Sequence, residues 1–236
     1  MSVVIPSAGS IGTLFAIPEA DWVSINDRVG LVIDAQNLAS EIEQIIPNYA
    51  ALLTACELWR PTTFPGLIAQ AAYTSAFAAQ AAETLGDLAG ALKSLQPEDP
   101  LPVAVKFIFT VHFAALRDTA AEHSTTLDEI ATQTSTFVAE NRATDAVLQN
   151  IIDRLGPGWQ DVAGPIGSLE SAMSDVQTGW SSIQADFAAA ANPPPDLTTA
   201  AVLAADVGGA ITSWNTVGEE AVRFDSMATN LTTAPV

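Results

Sequence analysis

The sequence predicts an all-α protein, an elongated up-and-down bundle of about five long helices forming one domain over residues 1–236. Three observations predict it. From Val103 to Leu155 the chain runs 53 residues without one Gly or Pro, although it holds 14 of each. Those two residues punctuate helices, one through backbone entropy and the other through a missing N–H. Inside that run an apolar seam steps by three and four through Phe113, Leu116, Ala120, His123, Leu127, Ile130, Thr134, Phe137, Asn141, Thr144, Leu148, Ile151 and Leu155, six heptads in all. Strand signals are almost absent, because no alternating apolar run is flanked by hairpin turns. At about 1.5 Å per residue the run extends roughly 80 Å, a length few functions require.

The first helix is expected over residues 19–59, kinked at Pro47. Pro18 stands at a helix-start position, Glu19 and Asp21 follow in the first turn, and Trp22, Ile25, Val29, Val32, Ile33, Gln36, Ala39 and Ile42 keep helical spacing. Arg60–Pro65 reads as a turn with Thr63 as a cap. A second helix over 65–95 lines Ala71, Ser75, Ala78 and Ala82 along one face, which permits close helix approach. The proline loop 96–102 precedes the third helix, 103–155, which ends at Gly156-Pro157-Gly158. The fourth, 165–191, carries Ile166, Leu169, Met173, Val176, Trp180, Ile183 and Phe187 and is stopped by Pro193-Pro194-Pro195. The last, 197–231, carries Val202 or Leu203, Val207, Trp214, Val217, Ala221 and Phe224.

Composition narrows function. A content of 49% hydrophobic residues supports a real core, and a net charge of −19 from 27 acidic and 8 basic residues disfavours nucleic-acid phosphates. Cys56 is the only cysteine, so no intrachain disulfide can form, and its apolar surroundings read as a buried, inert thiol. The first ten residues lack a Lys/Arg n-region, so no secretory signal is expected, and the longest uncharged run, 61–82, reads as a buried alanine-rich helix. His112 and His123 lie eleven residues apart, about 16 Å along a shared helix face, too far to hold one metal together. Without a His-Glu-x-x-His, P-loop, calcium-loop or Gly-x-Ser-x-Gly pattern, no enzyme activity, metal or cofactor is expected. Trp22, Trp59, Trp180 and Trp214 sit on apolar stripes and are expected in the core, whereas Trp159 falls in a Gly/Pro loop. The polar seam positions His123, Thr134, Asn141 and Thr144 suggest register control or a seam able to repack.

One segment breaks the pattern. Val103–Leu116 is apolar on every side, and Val103, Val105, Phe107, Ile108, Phe109, Val111 and Phe113 cannot share one helix face. Residues 101–116 therefore form a candidate apolar head for a membrane or a partner, unless neighbouring helix ends enclose them as ordinary core. The fourteen residues from Val103 cover about 21 Å, too short to cross a bilayer of about 30 Å unaided.

The stretch Leu58-Trp59-Arg60-Pro61-Thr62-Thr63-Phe64-Pro65-Gly66-Leu67-Ile68 and the later Trp180-Ser-Ser-Ile183 resemble motifs of the α-helical pore-forming toxins, the superfamily of cytolysin A, haemolysin BL and non-haemolytic enterotoxin components. The order of elements over residues 19–231 is similar too, with a hydrophobic element in mid-chain between long helices. The resemblance implies that residues 103–116 are the membrane-directed head of a secreted, soluble form whose destination is a host membrane. This chain is shorter than typical members and lacks their Gly-rich tongue, which fits one subunit of a multi-component toxin. Membrane lipid or partner toxin subunits are the implied partners, in a homo- or hetero-oligomer. The alternative is a cytoplasmic, non-lytic scaffolding bundle that oligomerises through its heptad seam.

Overall fold

The computed structural model describes residues 5–93, 100–155, 162–193 and 197–233, with the side chains of 150–155, 197–205 and 233 outside that description. Its elements are α1 (Glu19–Asp34), a 3-10 turn (Gln36–Leu38), α2 (Ala39–Ile42), α3 (Tyr49–Leu58), α4 (Phe64–Lys93), α5 (Val103–Phe107), α6 (Ala114–Leu155), α7 (Ala163–Ala190) and α8 (Leu197–Thr233). A π-helical turn, Trp59–Thr63, carries α3 into α4, and a second, Ile108–Phe113, carries α5 into α6. Two continuous rods result, residues 49–93 and 103–155. Among the described residues there is no strand, so the all-α expectation holds.

The first expected helix is two helices. Instead of a kink at Pro47 within 19–59, α1 stops at Asp34 and α3 begins at Tyr49. Leu31, Leu38 and Ile45 are exposed, so the segment between has too little buried surface to hold one helix through a proline. Asn48 pins the return. Its Nδ2 donates to the Glu140 carbonyl, Glu140 Oε2 and Thr144 Oγ1, each at 3.1 Å. The expected turn at 60–65 is not a turn. Phe64 N–H reaches back five residues to the Trp59 carbonyl, and this wider coil lets Pro61 and Pro65 stay in a continuing helix. Thr63 is no cap: it is buried and donates to Gln133 Oε1 at 3.0 Å.

The remaining bounds fall close to expectation, although residues 94–99, 156–161 (with Trp159) and 194–196 lie outside the description. Contacts fix the directions. Arg142 pairs with Glu170, Gln177 Nε2 donates to Asp128, His123 lies on Trp180 and Phe113 on Phe187, so α6 and α7 run antiparallel. Trp59 stacks on Phe137 and Tyr73 on His123, which makes the two rods antiparallel as well. Phe77 meets Trp214, so α4 and α8 also pair closely. The seam residues Phe113, Leu116, Ala120, Leu127, Ile130, Thr134, Phe137, Asn141, Thr144 and Leu148 are buried within the chain, with His123 half-buried; the side chains of Ile151 and Leu155 are outside the description. The four expected core tryptophans, Trp22, Trp59, Trp180 and Trp214, are all buried.

Sequence reasoning assigned nothing to the N-terminal arm, which is part of the core. Ala8, Ile11, Leu14, Phe15 and Ile17 are buried. The Pro6 carbonyl accepts the Trp214 indole N–H at 3.0 Å, and Ser10 Oγ donates to the Asp175 carbonyl at 2.9 Å, so the arm bridges α7 and α8. Gly179 is what lets it lie so close. A Cβ there would stand 2.8 Å from Ile11 Cγ2 and 3.1 Å from its backbone nitrogen.

Candidate functional site

The expected head divides into two faces. Val105, Ile108, Phe109 and Phe113 are buried, the last two completely, whereas Val103, Phe107 and Val111 are 82%, 50% and 43% exposed. The exposed three are four residues apart, one stripe along the outer side of α5 and the π turn. The inner four follow the i, i+3, i+4, i+8 spacing of a single helical stripe. Ile108 and Phe109 both turn inward within the π turn, and Phe113 begins the seam. Phe109 packs edge-on to Phe113 at 5.3 Å, and Phe113 meets Phe187 of α7 at 5.7 Å.

Around the exposed stripe the charge differs from the rest of the chain. Lys106 is the only formal charge from Pro100 to Leu116, in a molecule that carries −19 overall. Its neighbour Phe107 meets the exposed His112 edge-on at 5.3 Å. Of the two histidines, His112 is exposed and His123 half-buried. His123 lies in an aromatic niche of Trp180 (5.0 Å), Tyr73 (5.4 Å) and Phe77 (5.9 Å), where burial lowers its pKa. Nearby, burial holds the Asp186 carboxyl above the ordinary range.

Away from that region, Arg28 is buried and ion-paired with Asp145 at 3.1 Å, and Tyr49 Oη donates to the Val32 carbonyl at 2.7 Å. Cys56 is buried as expected, and desolvation pushes its thiol up to about 12, which leaves it un-ionised and unreactive at neutral pH. Among the described residues no three His, Cys, Asp or Glu side chains gather in a metal-binding group. Nor, among those residues, is any helix long and apolar enough to cross a membrane.

A second arrangement escaped the sequence reading. The middle of α1, the first turns of α4 and the last turns of α8 enclose a cleft with Arg60 of the first π turn at its edge. Pro61 and Pro65, four residues apart beside a helical pattern, were the available signal. They were read as a break, whereas a π turn accommodates both. No protein-family model, curated protein or solved structure matches the chain.

Proposed function

We propose that this chain is the soluble form of an α-helical pore-former-like protein, an elongated up-and-down bundle whose tip meets the membrane interface through Val103, Phe107 and Val111. One observation carries the reading: three large apolar side chains are exposed in a row, within a stretch free of carboxylates, on an otherwise strongly acidic protein. Exposed apolar stripes of this kind mark interaction surfaces, and a lysine beside them can keep its ammonium in water while its stem lies on lipid. Absence of carboxylates removes the repulsion that anionic headgroups exert on the remaining surface. In this reading the protein is secreted, is not an enzyme, and acts by shallow insertion followed by assembly with further subunits. The seam supports this better than scaffolding, because its side chains are already filled from within the chain and offer no free face to a second coiled coil.

Vesicles of phosphatidylcholine and phosphatidylglycerol at pH 5 and pH 7 test the proposal by co-sedimentation and dye leakage. The wild-type chain is expected to bind. Phe107→Glu with Val111→Glu is expected to abolish binding while leaving the helical circular dichroism and thermal midpoint unchanged. Absence of wild-type binding at both pH values, or binding indifferent to the double substitution, sinks the membrane reading.

A further inference from the structure

The first π turn builds a cleft of about 780 Å³, within the range of small-molecule sites. Its apolar wall is Val23, Phe64, Ile68 and Leu231, and Arg60 provides its cation.

Arg60 is held there by its neighbours. Trp59 is locked inward by its stack on Phe137 at 4.2 Å and by its indole N–H, which donates to Asn26 Oδ1 at 3.1 Å. Residue 60, one step along the coil, is thereby turned outward toward α1. Its guanidinium lies beside Gly30 of α1, where a Cβ would stand 3.9 Å from Arg60 Nη2 in ordinary contact. The π turn also alters the backbone beside it. Phe64 N–H bonds Trp59 O, and Pro65 has no N–H to offer the Arg60 carbonyl.

The guanidinium is then left without an acid. Among the arginines whose side chains are described, Arg28, Arg117 and Arg142 each hold a carboxylate. Arg60 has no hydrogen bond or ion pair among the described residues, in a chain with 27 acidic side chains. Arg223 shares that condition, in a smaller groove of about 570 Å³ lined by Ala79, Trp214, Glu219 and Val222. Asp27 lines the Arg60 cleft without pairing to it. Asp27 and the net charge of −19 both weigh against a polyanion, so the anion that Arg60 can take is a singly charged one. Arginine offers a planar fork of donors matched to a carboxylate or phosphate, and the wall beside it is apolar.

We propose that this cleft binds a small amphiphile with one anionic head group, the head on Arg60 and the tail along Val23, Phe64, Ile68 and Leu231. The reading is independent of the exposed stripe on α5.

Octanoate and octyl phosphate, below their micelle concentrations, are titrated into the full chain by calorimetry and by ¹H–¹⁵N NMR, with octanol and octyltrimethylammonium as controls. At least one anion is expected to bind saturably and to shift the Trp59 indole N–H, and the stronger one identifies the head group. Arg60→Gln is expected to weaken it about tenfold, the scale of one lost charge-assisted contact. Arg60 and Thr232 are both exposed, so neither that variant nor Thr232→Asp, which sets a carboxylate into the cleft, removes core packing. Thr232→Asp is expected to weaken binding similarly. The proposal is overturned if neither anion binds saturably, if octanol binds equally well, if both variants bind like wild type, or if binding leaves the Trp59 indole unmoved.

Discussion

The two rods of this protein each contain one π-helical turn, and the two turns differ in the residues that make them. Trp59–Thr63 carries Pro61 and leads directly into Pro65, so an ordinary α-helical path would lose bonds and crowd a proline ring against a carbonyl. Ile108–Phe113 contains neither Pro nor Gly, and nothing in its local backbone chemistry demands a wider turn. There the inward groups are apolar: Ile108, Phe109 and Phe113 are all buried. The first turn has its inward groups hydrogen-bonded and its outward arginine over a cleft; the second has only apolar groups inward and an apolar stripe outward. One backbone device thus serves a polar cleft in one rod and an exposed apolar surface in the other.

The largest test removes the inward anchors. Trp59→Ala and Phe109→Ala are each expected to cost about 3–5 kcal/mol in urea unfolding, because both side chains are fully buried. If Phe109→Ala cost less than about 1 kcal/mol, the inner side of the second turn would not be part of the core. A smaller effect separates the polar requirements. Thr63→Val removes a buried hydroxyl bonded to Gln133 and is expected to cost about 1–2 kcal/mol. Thr110→Val, at an exposed hydroxyl bonded only to the Lys106 carbonyl of its own helix, is expected to change stability by less than about 0.5 kcal/mol.

His123, on the second rod, adds a pH dependence of smaller size still. Its folded pKa is lowered by burial, so as pH falls below about 6.5 the unfolded chain takes up the proton first and stability declines until the folded pKa is passed. Asp186 acts in the opposite direction, its raised pKa favouring the fold as pH falls, so the comparison is made between wild type and His123→Gln. The substitution is expected to flatten the acid limb of the stability profile by less than about 1 kcal/mol, since the half-buried ring is partly screened. An unchanged acid limb would show that the aromatic niche around His123 tolerates the imidazolium.

Helical periodicity made much of this fold legible. The seam from Phe113 to Leu148, the four buried tryptophans and the bounds of α7 followed from spacing, because burial in a helical bundle repeats with the turn of the helix. Proline was the main source of error. At Pro47 it marked a full break, set by the Asn48 bonds to α6, while Pro61 and Pro65 marked no break, because a π turn absorbs them. The arm of Ala8, Ile11 and Leu14 was invisible to helix periodicity, since its place is fixed by Trp214 and Gly179 about 170–200 residues away. For the head, sequence showed that its apolar residues could not share one face. The spacing of Val105, Ile108, Phe109 and Phe113 carried the inner face, but apolar residues on both sides concealed it.

The split also fixes which variants can test the head. Glu at both 107 and 109 would disturb core and surface together, so the outer stripe must be probed alone. The most direct measurement places an environment-sensitive fluorophore there. Cys56 is buried with its thiol held un-ionised, so Phe107→Cys can be labelled selectively with nitrobenzoxadiazole, and Thr212→Cys on exposed α8 serves as the control. On adding phosphatidylcholine–phosphatidylglycerol vesicles, the label at 107 is predicted to brighten and shift to shorter wavelength while the label at 212 stays unchanged. No change at 107, or an equal change at both positions, would contradict the assignment of the Val103–Phe107–Val111 stripe as the membrane-meeting surface.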